Sequence, residues 1–322
     1  MKIRQVVVFI LILFSVESLV AQVKTSEIVS KSDSAKSVDK PKVSYFKPKL
    51  TYLSNAVYNG RKDSTAISYL SPAIEYIDKS GFNFSASASY LVSGNVHRID
   101  LFALGAGYDF SINKQWNVSL SANKDFYNDS SKAIQGGTKG SLGVDMTYDL
   151  DIVQIGGGAE MMFEETNQYG GNISIAHSFD FGTEDTASWS ITPTFNANYG
   201  TQGFLDQNTR RKVKRKNQVS NRKNSVVTNI IGSTNAFSIL DYECSLPISF
   251  SAKNWGISFT PTYSIPLNPT TTITKTTNYQ NGIQVGQPVT SVDRENLSNS
   301  LYFEVELFWK FDIKNKKLKY IS

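Results

Sequence analysis

The sequence predicts an all-β chain that closes into an antiparallel transmembrane barrel of about twelve strands. Three observations carry that expectation. Apolar and polar side chains alternate from residue 50 to residue 311, the connections between the alternating segments are short on one side and long on the other, and aromatic rings bracket the short ones. Composition works by exclusion. A single Cys rules out a disulfide framework and a Cys-based zinc site, and two His leave no basis for a His-rich metal centre. No metal or organic cofactor is implied. Mean hydropathy is negative, so the chain is not a bundle of membrane helices.

The N-terminus reads as an export signal over residues 1–21. Lys2 and Arg4 precede an unbroken apolar run from Val6 to Phe14, too short to span a bilayer as a helix, and cleavage is expected after Ala21. Residues 22–47 are rich in Lys, Ser, Asp and Val without periodicity, and read as a disordered periplasmic spacer. The barrel is expected over 48–313, followed by a basic tail, 314–322.

The strands follow in order. Residues 50–58 alternate weakly, through Leu50, Tyr52, Ala56 and Tyr58, and 66–76 through Leu70, Ile74 and Tyr76. In 82–92 the apolar set is Phe82, Phe84, Ala86, Ala88, Tyr90 and Val92, against Asn83, Ser85, Ser87 and Ser89. Phe102, Leu104, Tyr108 and Phe110 give the fourth segment, Trp116, Val118 and Leu120 the fifth, and Leu142, Val144, Met146 and Tyr148 the sixth. The later segments carry Ile155, Ala159 and Met161, then Ile173 and Ile175, then Trp189, Ile191 and Phe195. Leu240 to Phe250, Trp255 to Ile265 and Leu301 to Phe311 complete twelve. Pro72, Pro193, Pro247 and Pro261 fall inside these segments, where each removes a ladder donor, so bulges or strand ends are expected there.

Alternation alone fits a soluble sandwich as well as a barrel. The connections separate the two. Short turns are expected at 77–81, 111–115, 151–152, 182–188 and 251–254, and very long loops near 201–235 and 268–299. Short turns at one rim and long loops at the other are the pattern of a membrane barrel. Pairs such as Phe110 and Trp116, or Phe250 and Trp255, flank the short turns, as amphipathic rings do at a membrane–water interface. The polar face is Gly, Ser, Thr and Asn, which suits a concave interior. An even strand number places both termini and the short turns on the periplasmic side.

The final strand, with its Leu307-x-Trp309-x-Phe311 ending, resembles the last-strand signal of outer-membrane β-barrel proteins of Gram-negative bacteria, although Asp312 to Ser322 follow it here. The resemblance covers residues 50–311 and is generic. It implies an integral outer-membrane location, contact with outer-membrane lipid, and delivery by the barrel assembly machinery.

Catalysis finds little support. His177 falls on the lipid-facing parity and lacks the His-x-Ser spacing of outer-membrane phospholipases, His97 has no evident partner, and Cys244 reads as a small apolar residue. Glu164 and Glu165 are adjacent strand residues that point to opposite faces. Gly156-Gly157-Gly158 precedes no helix and is no phosphate loop. The chain is read as a non-enzyme.

Charge is more informative. Glu75, Asp109, Asp125, Asp145, Asp149, Glu160, Asp180, Asp241, Glu243, Glu304 and Glu306 all take the inward parity, opposed clearly by Lys310 alone. Carboxylates lining a lumen favour cations. Glu75, Asp145, Glu160, Glu243, Glu304 and Glu306 are therefore the expected lumen-lining set. Opposite in sign is a basic run, Arg210, Arg211, Lys212, Lys214, Arg215 and Lys216, in a long outer loop. An exported chain has no use for nucleic acid, so the run is expected to be a solvated loop, a lid over the lumen, or a contact for lipopolysaccharide phosphates. Together these features predict a narrow passive channel for small neutral or cationic solutes. The alternatives are a non-conducting structural or adaptor barrel that binds envelope partners or lipopolysaccharide, and a barrel enzyme.

Overall fold

The computed structural model describes residues 43–63, 66–94, 97–131, 133–183, 187–203, 224–233, 237–281 and 283–313. The expected export signal, most of the expected spacer, the basic run 210–216 and the tail from 314 lie outside the described residues.

Twelve antiparallel strands form one closed ring. The first seven are Tyr45–Leu53, Tyr69–Ile77, Phe82–Leu91, Arg98–Ser111, Trp116–Tyr127, Gly140–Asp149 and Gln154–Phe163. The eighth is Gln168–Ala176 continued by Phe179–Thr183, the ninth Ala187–Ile191 continued by Thr194–Thr201, and the tenth Phe237–Ser245 continued by Ile248–Ala252. Trp255–Pro266 and Ser300–Trp309 are the eleventh and twelfth. The twelfth pairs with the eleventh along its length and with the first through Leu50↔Leu307 and Tyr52↔Val305, which closes the ring. Closure leaves no sheet edge, the condition for backbone to stand in hydrocarbon.

The first strand departs from expectation. It runs from Tyr45 to Leu53, so the barrel begins inside the stretch read as spacer and the strand expected at 50–58 ends early. Leu50 and Tyr52 face outward as expected, whereas Ala56 and Tyr58 belong to a loop that folds inward.

The prolines mark where pairing fails. Pro193 and Pro247 divide the ninth and tenth strands, and with Pro261 they form a seam across three neighbours. Each lacks a donor but keeps its acceptor. The His177 amide donates to the Pro193 carbonyl at 3.3 Å, the Thr192 amide to Pro247 at 2.9 Å, and the Leu246 amide to Pro261 at 3.0 Å. At Pro72 the ladder to the third strand is interrupted, and the Ser71 hydroxyl reaches Ser89 Oγ at 3.0 Å instead.

The two faces of the sheet differ sharply. Leu70, Ile74, Phe84, Leu104, Leu120, Met146, Ile173 and Ile257 stand exposed on the outside. Aromatic neighbours form a girdle at the short-turn rim. Phe46 lies 5.3 Å from Tyr76, Phe82 4.6 Å from Tyr108, Trp116 4.7 Å from Tyr148, and Trp189 4.9 Å from Phe250. Contiguous apolar surface on this scale requires a lipid solvent. No described helix is long and apolar enough to cross a membrane; the chain crosses with strands. The barrel is thus an integral outer-membrane barrel with short periplasmic turns and long extracellular loops. Two of those loops build a second, three-stranded sheet from Asn224–Ser233, Thr271–Gln280 and Ile283–Arg294.

Candidate functional site

The inward face is polar and largely buried. On the first strand Lys47 and Lys49 take the inward positions, with Leu50 and Tyr52 on the lipid side. Lys49 Nζ lies 2.5 Å from Glu75 on the second strand and 3.7 Å from Glu306 on the twelfth, and all three side chains are almost wholly buried. Lys47 Nζ sits 4.4 Å from the centre of the Phe308 ring, and Lys310 lies 5.4 Å from the same ring. The expectation that Lys310 alone opposes the inward carboxylates is therefore wrong. A first strand expected only from residue 50 puts Lys47 in the spacer and Lys49 ahead of the strand, so neither counts among the inward residues.

On the far side of the twelfth strand the charge is acidic. Tyr302 donates to Glu243 Oε1 at 2.9 Å, and Ser264 donates to Asp241 Oδ2 at 3.0 Å. Both carboxylates are fully enclosed. Glu304 shares the inward face one step along from Glu306, opposite Leu53. Asp145 on the sixth strand and Glu160 on the seventh occupy neighbouring inward rows, with Asp145 opposite Gly158. A Cβ at Gly158 would meet the side-chain oxygens of Asp145 and Asn172, which would have to shift. The glycine run thus makes room for flanking polar side chains.

The remaining inward acids are dispersed. Asn83 donates to Asp109 Oδ2 at 2.8 Å, Asp125 is buried on the fifth strand, Asp149 caps a periplasmic turn, and Asp180 is exposed at the periplasmic rim. Of the expected lumen set, Lys49 brings Glu75 and Glu306 together, while Asp145, Glu160 and Glu243 stand apart on other walls. His177 packs its ring edge-on to Phe179 at 4.4 Å, and Cys244 is exposed on the lipid side.

The mouth holds a feature not expected from the sequence. Between the first two strands the chain makes a small hairpin, Val57–Tyr58 paired with Arg61–Lys62. Asn59 and Gly60 form its tip with φ of 49° and 70°, the two positive values of a type I′ turn. The loop neck is closed by Ala56 N to Ile67 O at 2.7 Å and by Ser68 Oγ to Ser54 O at 2.6 Å. Val57 seats against Leu53, Tyr69, Leu91 and Tyr302.

Beyond this base the hairpin crosses the lumen. Tyr58 donates to Met162 Sδ at 3.0 Å, on the seventh strand, which stands opposite the first in a ring of twelve. Tyr58 also packs with Leu240 of the tenth strand and with Ile134 from the loop between the fifth and sixth. Each buried aliphatic or Met side chain adds about 1.5–3 kcal/mol of transfer free energy. Burial raises the Tyr58 hydroxyl well above its ordinary pKa, reinforced by Glu160 and Glu164, so it stays a neutral donor. Thr138 of the same fifth-to-sixth loop donates to Glu164 at 2.8 Å. Arg61, also buried, donates to the carbonyls of Leu240 at 2.5 Å, Leu267 at 2.7 Å and Asn59 at 2.8 Å, and lies 3.4 Å from Glu295. Asn59-Gly60 is the strongest short-range hairpin signal a sequence carries, and it was the available clue to this loop.

No protein-family model and no curated protein matches the chain. Among solved structures it is similar in shape to the KdgM porin, at 9% identity and a TM-score of 0.38 over 84% of this chain and 99% of that one. It is also similar to the outer membrane channel DcaP of Acinetobacter baumannii, at 9% identity and a TM-score of 0.26 over 84% and 96%. A third is Wzi of Escherichia coli, described as a carbohydrate-binding β-barrel involved in group 1 capsule assembly, at 11% identity and 0.27 over 80% and 64%. The fold assignment rests on strand register, closure and the apolar belt, and these identify an integral outer-membrane β-barrel.

Proposed function

We propose that the barrel is a narrow passive channel for small neutral or cationic solutes. One observation carries the proposal: carboxylates populate the inward face of several walls, including Glu75, Asp145, Glu160, Glu243, Glu304 and Glu306, while the buried lysines gather on the first strand. Carboxylates within low-dielectric walls attract cations and repel anions. Barrels of eight strands are filled by side chains and those of sixteen or more enclose an open aqueous pore, so twelve strands support a small lumen. The inward hairpin narrows it further. The basic run Arg210 to Lys216, outside the described residues, is assigned on charge to a lid or to contact with lipopolysaccharide phosphates.

The test is the reversal potential of purified protein in a planar bilayer under a salt gradient. A cation-selective potential that weakens in a Glu304→Gln, Glu306→Gln variant is the expected result, and an anion-selective one sinks the proposal. A second reading, a non-conducting adaptor barrel, is favoured by the apolar cluster of Tyr58, Ile134, Met162 and Leu240 across the mouth. It predicts no conductance even after the hairpin is removed.

A further inference from the structure

We infer that the hairpin Val57–Lys62 is a gate over the lumen, and that Arg61 is the positioning residue that latches it shut on the roots of the two long extracellular loops. The inference rests on the channel reading and adds a regulatory element to it.

A hairpin of two residues per strand has no independent stability in water, so its place is set by what it touches. Its contacts fall into two groups. Val57 anchors the base to strands one, two, three and twelve, which surround the point where the loop leaves the barrel. The far end is held by Tyr58, which donates to Met162 and packs with Ile134 and Leu240, by Arg61, and by the fit of the tip. Gly60 would bring a Cβ within 2.7 Å of Pro266 Cβ and 2.9 Å of Asp241 Cβ, so the tip is pressed against the tenth and eleventh strands.

Arg61 occupies the junction behind that tip. Its guanidinium donates to Leu240 O at the start of the tenth strand, and to Leu267 O and Asn268 O, at 2.7 and 3.2 Å, where the eleventh-to-twelfth loop begins. It faces Glu295 at the end of that same loop. Glu295 closes the base of the outer sheet, accepting from Thr270 N at 3.1 Å and from Thr270 Oγ1 at 3.3 Å. Gln202, where the ninth-to-tenth loop leaves the barrel, donates to Asn268 O at 2.6 Å. One side chain of the hairpin is thus fastened where both long loops are rooted. A planar fork with several donors suits that task, and a lysine does not replace it. Lys62, by contrast, is exposed and touches Asn299 O at 3.2 Å.

Removing the fork takes the Arg61 donor from the Leu267 and Asn59 carbonyls and the cation from Glu295. Leu240 O keeps the Leu267 amide at 2.8 Å and Asn268 O keeps Gln202, whereas the far end of the hairpin is left resting on Tyr58. The gate then swings outward and the lumen opens.

The test is single-channel conductance in planar bilayers for five proteins: wild type, Arg61→Gln, Arg61→Lys, Lys62→Gln, and a barrel with residues 57–62 replaced by a short Gly-Ser link. Heat-dependent gel mobility confirms that each is folded. Arg61→Gln and the hairpin-deleted barrel should conduct several-fold more than wild type, Lys62→Gln should match it, and Arg61→Lys should not restore closure. If the hairpin-deleted barrel conducts no better than a conducting wild type, the gate is overturned and the channel reading stands. If the deletion opens the channel and a folded Arg61→Gln does not, Arg61 is not the latch. If neither wild type nor the deleted barrel conducts, the channel reading itself falls. Should Arg61→Gln fail to fold, Glu295→Gln tests the latch, and unchanged conductance in it overturns the role of the Arg61–Glu295 contact.

Discussion

Lys49 of the first strand lies between Glu75 of the second and Glu306 of the twelfth, 2.5 Å from one carboxylate and 3.7 Å from the other. The contact spans the seam where the ring closes, since the first and twelfth strands are the chain's two ends in the barrel. A charge triad at that seam ties register to closure: slipping the first strand by one residue would turn Lys49 toward lipid.

Lys49→Met should accordingly destabilise the barrel. It takes the ammonium from between two buried carboxylates, and breaking a buried pair by removing one partner costs about 3–5 kcal/mol. Urea unfolding of the detergent-solubilised protein measures this. Adding Glu75→Gln and Glu306→Gln to Lys49→Met should recover much of the loss. No recovery would mean that packing, and not charge, explains the defect.

The outward parity predicts a second effect. Leu120, Met146 and Val305 stand on the lipid face. Arg at any of these positions should cost about 2–4 kcal/mol if it lies near the bilayer midplane. Arg at Ser119 or Thr147, on the inward face, should be tolerated better. Equal losses on both parities would contradict the assignment of faces.

At the periplasmic rim, Asp78 fastens the first turn to the start of the first strand. It accepts from the hydroxyls of Ser80, Ser44 at 2.7 Å and Tyr76 at 2.9 Å, and from the Ser80 amide at 2.9 Å. Hydrogen bonds to the charged form, first from the Ser80 side chain and then from Ser44, hold its pKa below the ordinary carboxylate range. A depressed folded-state pKa contributes stability that is present above the unfolded value and is lost as pH falls through the folded one. Asp78→Asn should therefore be less stable than wild type near neutral pH, with the gap closing in strong acid. A gap that does not depend on pH would assign the effect to geometry.

Much of the barrel was legible because one physical rule dominates it. From Phe82 onward each strand separates lipid from lumen, so alternation gives both the strands and their faces. The first strand was misplaced because Lys47 and Lys49 project inward and Pro48 interrupts the outward set, which made 45–47 look like spacer and hid the start of the strand. Ala56 and Tyr58 continue the parity of Leu50 and Tyr52 by coincidence, since the chain has already left the wall. The inward carboxylates were readable one by one. Their partners were not, because Lys49–Glu306 and Tyr302–Glu243 join distant parts of the chain through ring closure and lateral register. The mouth was hidden for the same reason: Tyr58 and Met162 are 104 residues apart.

The hairpin tip gives the last prediction. Gly60 has φ of 70°, and a Cβ there would stand 2.7 Å from Pro266 Cβ and 2.8 Å from its Cα. Gly60→Ala adds two penalties: about 1–2 kcal/mol of left-handed backbone strain, and a clash with the wall of the eleventh strand. The wall belongs to a closed ring and yields less than a hairpin of two residues per strand. The strain is therefore relieved by lifting the tip, which draws Arg61 from the Leu240 and Leu267 carbonyls. Barrel stability in urea should change little, because the substitution lies in the hairpin and leaves the pairing of the ring strands intact. Protease cleavage between Tyr58 and Lys62 should appear in the variant and be absent in wild type. A variant as resistant to protease as wild type, yet globally destabilised, would show that the tip is part of the wall and not a separable element.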